Sequence, residues 1–361
     1  MKRKPKRKII VWAITILIII GIRFFSLDSF RVELYYSKGI YPKISTFLVW
    51  LTRRLPFSIG DILYFLAAIW LLIKIIRNTR GVFKRGFQKS IFLSKLKSFL
   101  LLCCWIYIIF NILWGLNYNR LGIGSQLQFV TTEYSREDLV TMNKILLQKV
   151  NNSRQEVGKM ELDSLSNKII FDKACSAYKN LEKKYPFLHR NKFSIKKSLY
   201  GNAGNYLGFT GYYNPFTGEA QANTTVPVFL RPYIATHELA HELGYAKEDE
   251  ANFVGYLAAS QSTDSFFHYS TYLDLFMYAN RELYFADSVI SNSFYDSLSP
   301  AVKGDIEMWR RFNSAHQSFI EPGITWLYSK YLKLNQQPRG MRSYNQVTAM
   351  LIAYYKKYHT L

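Results

Sequence analysis

The clearest chemical pattern in the sequence is a His-Glu-x-x-His run within residues 236–244. His237 and His241 are four residues apart, so on an α-helix their imidazoles lie one turn apart on the same face. Two imidazoles in this position can bind one zinc ion, and Glu238 can act as the general base for a zinc-activated water. The run therefore predicts a catalytic zinc site on a helix. A chance pairing of histidines on a buried helix is the alternative.

The residues around this run predict two short helices. Pro232 suits the first turn of the helix that carries the histidines, and Gly244 suits the left-handed residue that closes a helix C-terminus. A second apolar helix begins near Lys247 and runs to about Ser260. Small residues on one face of this second helix would let it approach the first.

A hydrolytic zinc site needs a third protein ligand, because three ligands leave one position for water whereas four close the site. Glu248 is the expected ligand, since it lies one helical turn before Asn252 on the face that carries Ala251 and Gly255. Glu250 is the alternative ligand. Asn252 is expected to hydrogen-bond one of the histidines and to orient its ring.

The two helices resemble the gluzincin metallopeptidases, in which an acidic motif on a following helix supplies the third ligand and a supporting carboxylate. Asn252 stands where that family usually has Asp, and Glu242 places a charge where the wider zincin pattern has an uncharged residue. The short spacing is closer to the metzincins, but their third histidine corresponds to Lys247. The resemblance implies a zincin-like α+β domain with one Zn²⁺ per chain and hydrolysis of peptide bonds.

Short strand signals precede the histidine run, at residues 193–199, 206–213 and 219–225. Residues 214–218 have the composition of a turn. In zincins a sheet edge aligns an extended peptide through main-chain hydrogen bonds. The candidates for such a substrate strand are Gly211, Tyr212 and Tyr213. An ordinary hairpin packed on the helix is an equally good interpretation.

The C-terminal part is mainly helical by its apolar periodicity. Hydrolysis needs a donor for the developing oxyanion, and three side chains in this part are weak candidates: His268, His316 and Tyr344. The spacing selects none of them, and roles in the core or on the surface are the alternative for each.

The net charge of +22 is concentrated in the apolar N-terminal part. Residues 1–116 contain 20 Lys and Arg and 3 Asp and Glu, which leaves a net charge of +5 for residues 117–361. These basic residues flank hydrophobic spans, so membrane topology explains them and no nucleic-acid partner is expected. The three cysteines, Cys103, Cys104 and Cys175, give no disulfide framework and are expected to be packing residues.

Three apolar segments, at about residues 9–25, 61–76 and 99–116, approach the ~20 residues needed to cross a bilayer. The basic N-terminus and the basic loop between the second and third spans should both be cytoplasmic. The C-terminal domain should then be extracytoplasmic. The apolar stretch at 44–55 is expected to be interfacial or re-entrant and is not counted as a crossing.

Four segments together resemble an uncharacterised bacterial membrane family, domain of unknown function 3810: 211–220, 237–244, 248–253 and 331–344. The resemblance covers nearly the whole chain and implies a membrane-tethered zincin-like domain in the bacterial inner membrane, without naming a substrate.

The expected organisation has three parts. A three-helix membrane region spans residues 1–116, a linker spans 117–133, and a mainly helical α+β zincin-like domain with a small β-sheet spans 134–361. The expected function is a membrane-anchored zinc metallopeptidase, whose partners are the lipid bilayer and a peptide or protein substrate. The alternative is a non-catalytic, membrane-tethered binding or scaffold protein with the same fold.

Overall fold

The computed structural model describes residues 4–86, 88–131, 133–158, 165–338, 340 and 346–361. Within these ranges the chain is mainly helical, with one small sheet. The helices of the N-terminal part are α1 (Lys4–Ser26), α2 (Ser29–Arg31), a π-helical segment (Val32–Ile40), α3 (Tyr41–Thr52), α4 (Ile59–Arg85), α5 (Lys89–Leu113) and α6 (Gly122–Gln126). The elements that follow are α7 (Arg136–Val157), α8 (Asn167–Lys184), β1 (Ile195–Lys197), α9 (Gly201–Leu207), β2 (Gly211–Asn214), β3 (Glu219–Ala222), α10 (Arg231–Glu242), α11 (Glu248–Ser260), α12 (Ser265–Ala286), α13 (Ser288–Asp296), α14 (Pro300–Ala315), α15 (Glu321–Leu334) and α16 (Gln346–Tyr358).

Three of these helices are long and apolar enough to cross a bilayer: α1, α4 and α5. Their candidate spans are Arg7–Ser26, Ile59–Lys84 and Lys89–Leu113, and they indicate membrane association. The second and third spans are longer than the apolar segments in the sequence because the helices continue through flanking basic residues. Such side chains can bury their stems in apolar surroundings and extend their charges to the headgroups.

The segment after α5 differs from the expected linker. Residues 115–119 form a 3₁₀ turn and residues 122–126 form α6. Asn117 and Ile123 are fully buried, and the chain here packs against both the apolar helices and the domain that follows. The segment has no helical periodicity because its residues fill gaps between other elements, which a search for repeating patterns does not detect.

The sheet has the strand order β1-β3-β2. Strand β1 runs parallel to β3, and β2 runs antiparallel to β3 with Gly211 opposite Ala222. The central strand β3 is buried throughout. The strand signal at residues 206–213 was partly wrong, since Leu207 ends the short helix α9 and β2 begins only at Gly211. Within the described residues, β2 is therefore an edge strand.

Helices α10 and α11 lie at the centre of the domain. They pack against each other, and α8, α12 and α16 surround them while the sheet packs against α10. Gly255 in α11 makes the close approach possible, because a Cβ at this position would lie 3.1 Å from the Cα and N atoms of His237. The fold therefore presents the first turn of α11 to one face of α10.

Candidate functional site

Helix α10 carries the residues of the His-Glu-x-x-His run. Pro232 lies in its first turn, and the chain leaves the helix through Gly244, which has a φ of +86°. This conformation strains any residue with a Cβ, so glycine is the natural choice at the turn. The bounds expected from the sequence for this helix are confirmed.

Three side chains converge in the space between α10 and α11. The Nε2 atom of His237 lies 3.3 Å from Oε2 of Glu248, and Nε2 of His241 lies 3.5 Å from the same oxygen. Together the three side chains offer ligand atoms that all lie within 4.8 Å of one another. This spacing is that of a group of residues that could hold one metal ion.

Hydrogen bonds outside the cluster orient two of these side chains. Nδ1 of His241 lies 2.7 Å from the carbonyl oxygen of Tyr245. Because a carbonyl only accepts, Nδ1 carries a hydrogen, and neutral His241 directs the lone pair of Nε2 into the cluster. The hydroxyl of Tyr328 donates to Oε1 of Glu248 over 2.7 Å, which leaves Oε2 to face the histidines.

Several buried polar atoms of the site lack a hydrogen-bond partner among the described residues: Oε2 of Glu248, Oε2 of Glu238 and Nδ1 of His237. Buried polar atoms are normally satisfied, so a group of such atoms at one place requires an explanation. Lone pairs on His241 and Glu248 that face each other repel unless a cation lies between them. The arrangement therefore favours a bound cation, either a proton or a metal ion.

The pKa shifts of these side chains also favour a bound cation. Burial alone would lower the pKa of His241, but Glu248 beside it raises that pKa to about 9. Burial likewise opposes ionisation of Glu248, yet the two histidines hold its pKa well below the ordinary value. Burial lowers the pKa of His237. A proton on His241 would balance Glu248 in the absence of a metal, and a metal ion would have to displace that proton.

Glu248, and not Glu250, is the acidic residue beside the histidines. Oε1 of Glu250 lies 3.4 Å from Nζ of Lys247, and its carboxylate packs so closely on Gly122 that a Cβ there would collide with it. Glu250 thus faces α6. Asn252, on the same helix, lies beside the side chain of His237, where an orienting group is expected.

Strand β2 lies directly against Glu238. A Cβ at Gly211 would collide with the carboxyl group of Glu238, so only glycine lets the strand come this close. Burial raises the pKa of Glu238 to about 8, and Glu248 acts in the same direction. The carboxyl group of Glu238 is therefore held between the edge strand and the histidine cluster.

The register of the hairpin determines which main-chain groups of β2 face outward. The amide of Asn223 donates to the carbonyl of Thr210 over 2.8 Å. Hydrogen-bonded pairs alternate in an antiparallel ladder, so Tyr212 is the next residue of β2 that bonds β3. The main-chain groups of Gly211 and Tyr213 consequently point to the open edge, where an extended peptide could pair with them.

One known protein family matches most of this chain. The family described as "Protein of unknown function (DUF3810)" matches residues 36–352. The chain belongs to the DUF3810 family. Neither the curated proteins nor the solved structures contain a match to this chain. The matched range includes the described candidate site and two of the three apolar helices, α4 and α5.

Two of the three candidate oxyanion donors of this DUF3810 protein, His268 and His316, pack against other aromatic side chains. His268 has its ring centroid 6.3 Å from that of Tyr272, and His316 packs on Phe312 at 4.3 Å. In the described part of the chain, neither histidine makes a hydrogen bond, an ion pair or a ring contact with the three clustered side chains. Tyr344 lies outside the described residues.

Sequence reasoning missed two residues that the DUF3810 fold brings to the site. Tyr328 bonds Glu248 from α15, and Trp114, which follows α5, donates through Nε1 to the carbonyl of His241 over 3.3 Å. Both lie far from the histidine run in sequence. A weak signal was the aromatic pair Tyr328 and Tyr331, whose three-residue spacing places both on one face of α15.

Proposed function

We propose that this DUF3810 protein is a membrane-anchored zinc metallopeptidase that hydrolyses peptide bonds. The observation that carries the proposal is the convergence of Nε2 of His237, Nε2 of His241 and Oε2 of Glu248. Two imidazoles and one carboxylate form a donor set that suits catalytic zinc, because they leave a coordination position for a reacting group. Glu250, the alternative ligand, faces α6 instead.

The role of each residue follows from its position. Zinc, when bound, supplies a Lewis acid that polarises a carbonyl group and makes water more acidic. Glu238 is the general base that takes the proton of the attacking water and passes it to the leaving amine. Burial raises the pKa of this carboxyl group above its ordinary value, and a base whose pKa is shifted towards neutrality can both accept and return a proton.

The open edge of β2 is proposed to hold the substrate. The outward main-chain groups of Gly211 and Tyr213 can pair with an extended peptide by strand addition, which is independent of the peptide's sequence. The side chains of this strand are used elsewhere, because the hydroxyl of Tyr212 donates to Asp61 and that of Tyr213 lies 3.4 Å from the hydroxyl of Tyr41.

We also propose the topology of a multi-pass protein of the bacterial inner membrane, with α1, α4 and α5 as its crossings. The chain is basic at the start of α1 and around the connection between α4 and α5, where Nζ of Lys95 donates to Asn78 over 2.8 Å. Basic residues favour the cytoplasmic side. The N-terminus would then be cytoplasmic and the candidate site extracytoplasmic.

A metal analysis of matched variants tests the proposed site. The full chain is purified in detergent as wild type, Glu248→Gln and Glu250→Gln, and metal is measured by elemental mass spectrometry. We expect about one zinc per wild-type chain, in line with a single three-ligand site. Zinc should be lost in Glu248→Gln and kept in Glu250→Gln, while circular dichroism shows all three to be folded.

Other outcomes of this measurement have definite meanings. Loss of zinc only in Glu250→Gln would move the third ligand and contradict the assignment of Glu248. A folded wild-type chain that binds no zinc even when zinc is offered would contradict the peptidase. That result would favour the binding or scaffold protein, in which a proton on His241 balances Glu248.

A further inference from the structure

We infer that the substrate is a membrane-anchored polypeptide and that the cleaved bond lies within a few residues of the bilayer surface. This inference rests on the proposed function and adds the substrate class to it. It depends on how the candidate site is attached to the apolar helices and on the unusual surface of α3. Neither observation concerns the chemistry of the cluster itself.

The histidine helix is joined directly to the end of α5. Trp114 is the residue that follows the candidate span Lys89–Leu113. Its Nε1 atom donates to the carbonyl of His241, and its ring centroid lies 6.0 Å from that of the His241 imidazole. One side chain therefore separates the end of an apolar helix from a proposed zinc ligand.

The sheet is joined in the same way to the start of α4. The carboxylate of Glu219 in β3 accepts from the amides of Ile59 and Gly60, at 3.1 and 2.7 Å. A carboxylate at a helix N-terminus is well placed, since it satisfies free amides and meets the positive end of the helix dipole. Asp61 accepts from the hydroxyl of Tyr212 over 2.5 Å. The proposed substrate strand is thus fixed to the first turn of a candidate membrane span.

Helix α3 shows which surface meets the lipid. Its buried face carries mostly small or polar groups: Tyr41, Ser45, Val49 and Thr52. Its outward face carries Phe47 at 58% exposure, Trp50 at 55% and Leu51 at 48%, together with Lys43, and the basic residues Arg53 and Arg54 follow the end of the helix. In a helix at a water-exposed surface, the large apolar side chains face the protein core and the polar side chains face the solvent.

The bilayer is the occupant that fits this face. A candidate membrane span lies on each side of α3 in the chain: α1 ends at Ser26, before α3, and α4 begins at Ile59, after it. Aromatic residues flanked by basic ones are typical of helices that lie in the membrane interface. The outer face of α3 therefore marks the level of the lipid headgroups.

The inner face of the same helix touches the metal-binding helix. The hydroxyl of Tyr41 donates to the carbonyl of Glu242, the residue after His241, over 2.9 Å. About one helix diameter, ~10–12 Å, thus separates the lipid-facing surface from α10. An extended chain advances about 3.3–3.6 Å per residue, so this distance corresponds to roughly three to four residues of substrate.

The test compares where peptides are cut. The full-length protein, loaded with zinc, is reconstituted into phosphatidylcholine and phosphatidylglycerol vesicles. A mixed-sequence peptide pool is offered in two forms, one with a dipalmitoyl anchor at its N-terminus and one without, and products are identified by mass spectrometry. We expect the anchored pool to be cut about tenfold faster or more, because anchoring raises its effective concentration. The cuts should cluster roughly three to four residues from the anchor, because an extended chain of that length covers this distance.

The position of the cuts separates the outcomes. Cuts spread evenly along the anchored peptides, or equal rates for both pools, would overturn the inference and leave the peptidase proposal intact. No cleavage of either pool by the zinc-loaded wild type, with activity no different from that of Glu238→Gln, would overturn both.

A variant of α3 tests the lipid-facing surface separately. Phe47→Asp with Trp50→Asp places two charges on the proposed interface, and Phe285→Asp places one on an exposed aromatic position at the end of α12. The α3 variant should cut the soluble pool as the wild type does, but its cuts in the anchored pool should shift away from the anchor. The Phe285 control should match the wild type in both pools. An unchanged cleavage position in the α3 variant would contradict the role given to this face.

Discussion

Two buried polar clusters lie near the C-terminal end of α10, and they are built in opposite ways. Arg120 and Glu33 form a bidentate salt bridge, in which Nε and Nη2 of Arg120 each donate to a carboxylate oxygen of Glu33 over 3.0 Å. Gln126 also donates to Glu33, over 2.7 Å. Another nitrogen of Arg120 donates to the carbonyl of Gly244. In the histidine cluster, by contrast, Oε2 of Glu248 has no hydrogen-bond partner among the described residues.

This difference separates a cluster whose buried charges are satisfied within the protein from one in which a buried polar atom has no partner. A buried charge is costly unless it is paired and hydrogen-bonded, and the pair of Glu33 with Arg120 meets that requirement within the protein. The histidine cluster meets it only with an additional cation. A bound ion is one explanation of such unsatisfied buried groups.

The largest effect should come from the proposed base. Glu238→Gln keeps the shape of the side chain but removes its ability to take a proton. We expect peptide hydrolysis to fall by about 10²–10⁴-fold, the usual contribution of general acid-base catalysis. Zinc content and thermal stability should stay at the wild-type level, because an amide of the same shape still fits beside the edge strand. Activity that survives this change would exclude Glu238 as the base.

A change in the pair of Glu33 and Arg120 should lower the stability of the protein and not its hydrolytic activity. Arg120→Met leaves Glu33 buried without its partner, so the free energy of unfolding should fall by about 3–5 kcal/mol. Denaturant unfolding of the detergent-solubilised chain measures this change. The double variant Glu33→Gln with Arg120→Met should recover part of the loss, because no charge is then left unpaired. Loss of zinc in the folded Arg120→Met chain would show that the two clusters are not independent.

Acid should reduce the stabilisation that the pair of Glu33 and Arg120 gives to the fold. Burial opposes ionisation of Glu33, but Arg120 outweighs it and lowers the pKa of Glu33 below its ordinary value of 4.5. The stabilisation from this group is complete above pH ~4.5 and is lost as the pH falls through the lowered folded-state pKa. Arg120→Met should remove this part of the acid dependence, which denaturant unfolding at a series of pH values measures.

A smaller effect is expected at the contact between the edge strand and the base. Gly211→Ala adds a Cβ that collides with the carboxyl group of Glu238. We expect hydrolysis to fall by about 10–100-fold, because a misplacement of about 1 Å at a catalytic group has effects of this size. Zinc should be retained. The control is Gly304→Ala in α14, where a Cβ would meet nothing within 4 Å.

Gly304→Ala should leave activity unchanged and raise stability by roughly 0.5–1 kcal/mol, since alanine is the better helix former. Equal activities of the two glycine variants would show that β2 does not constrain Glu238.

The sequence by itself determined the features that depend on nearby residues. Helix spacing placed His237 and His241 on one face, Gly244 ended their helix, and long apolar runs indicated the three membrane-associated helices. These features follow from backbone geometry and hydrophobic periodicity, which act over a few residues along the chain.

Only the tertiary structure decided which distant groups meet. Glu248 and Glu250 share one turn of α11, but Glu248 faces the histidines of α10 whereas Glu250 faces Lys247. The contact of Tyr328 with Glu248 depends likewise on long-range packing. The exposure of one edge of β2 depends on β1 pairing with the other side of β3. Such contacts join residues far apart in the chain, so no local pattern in the sequence records them.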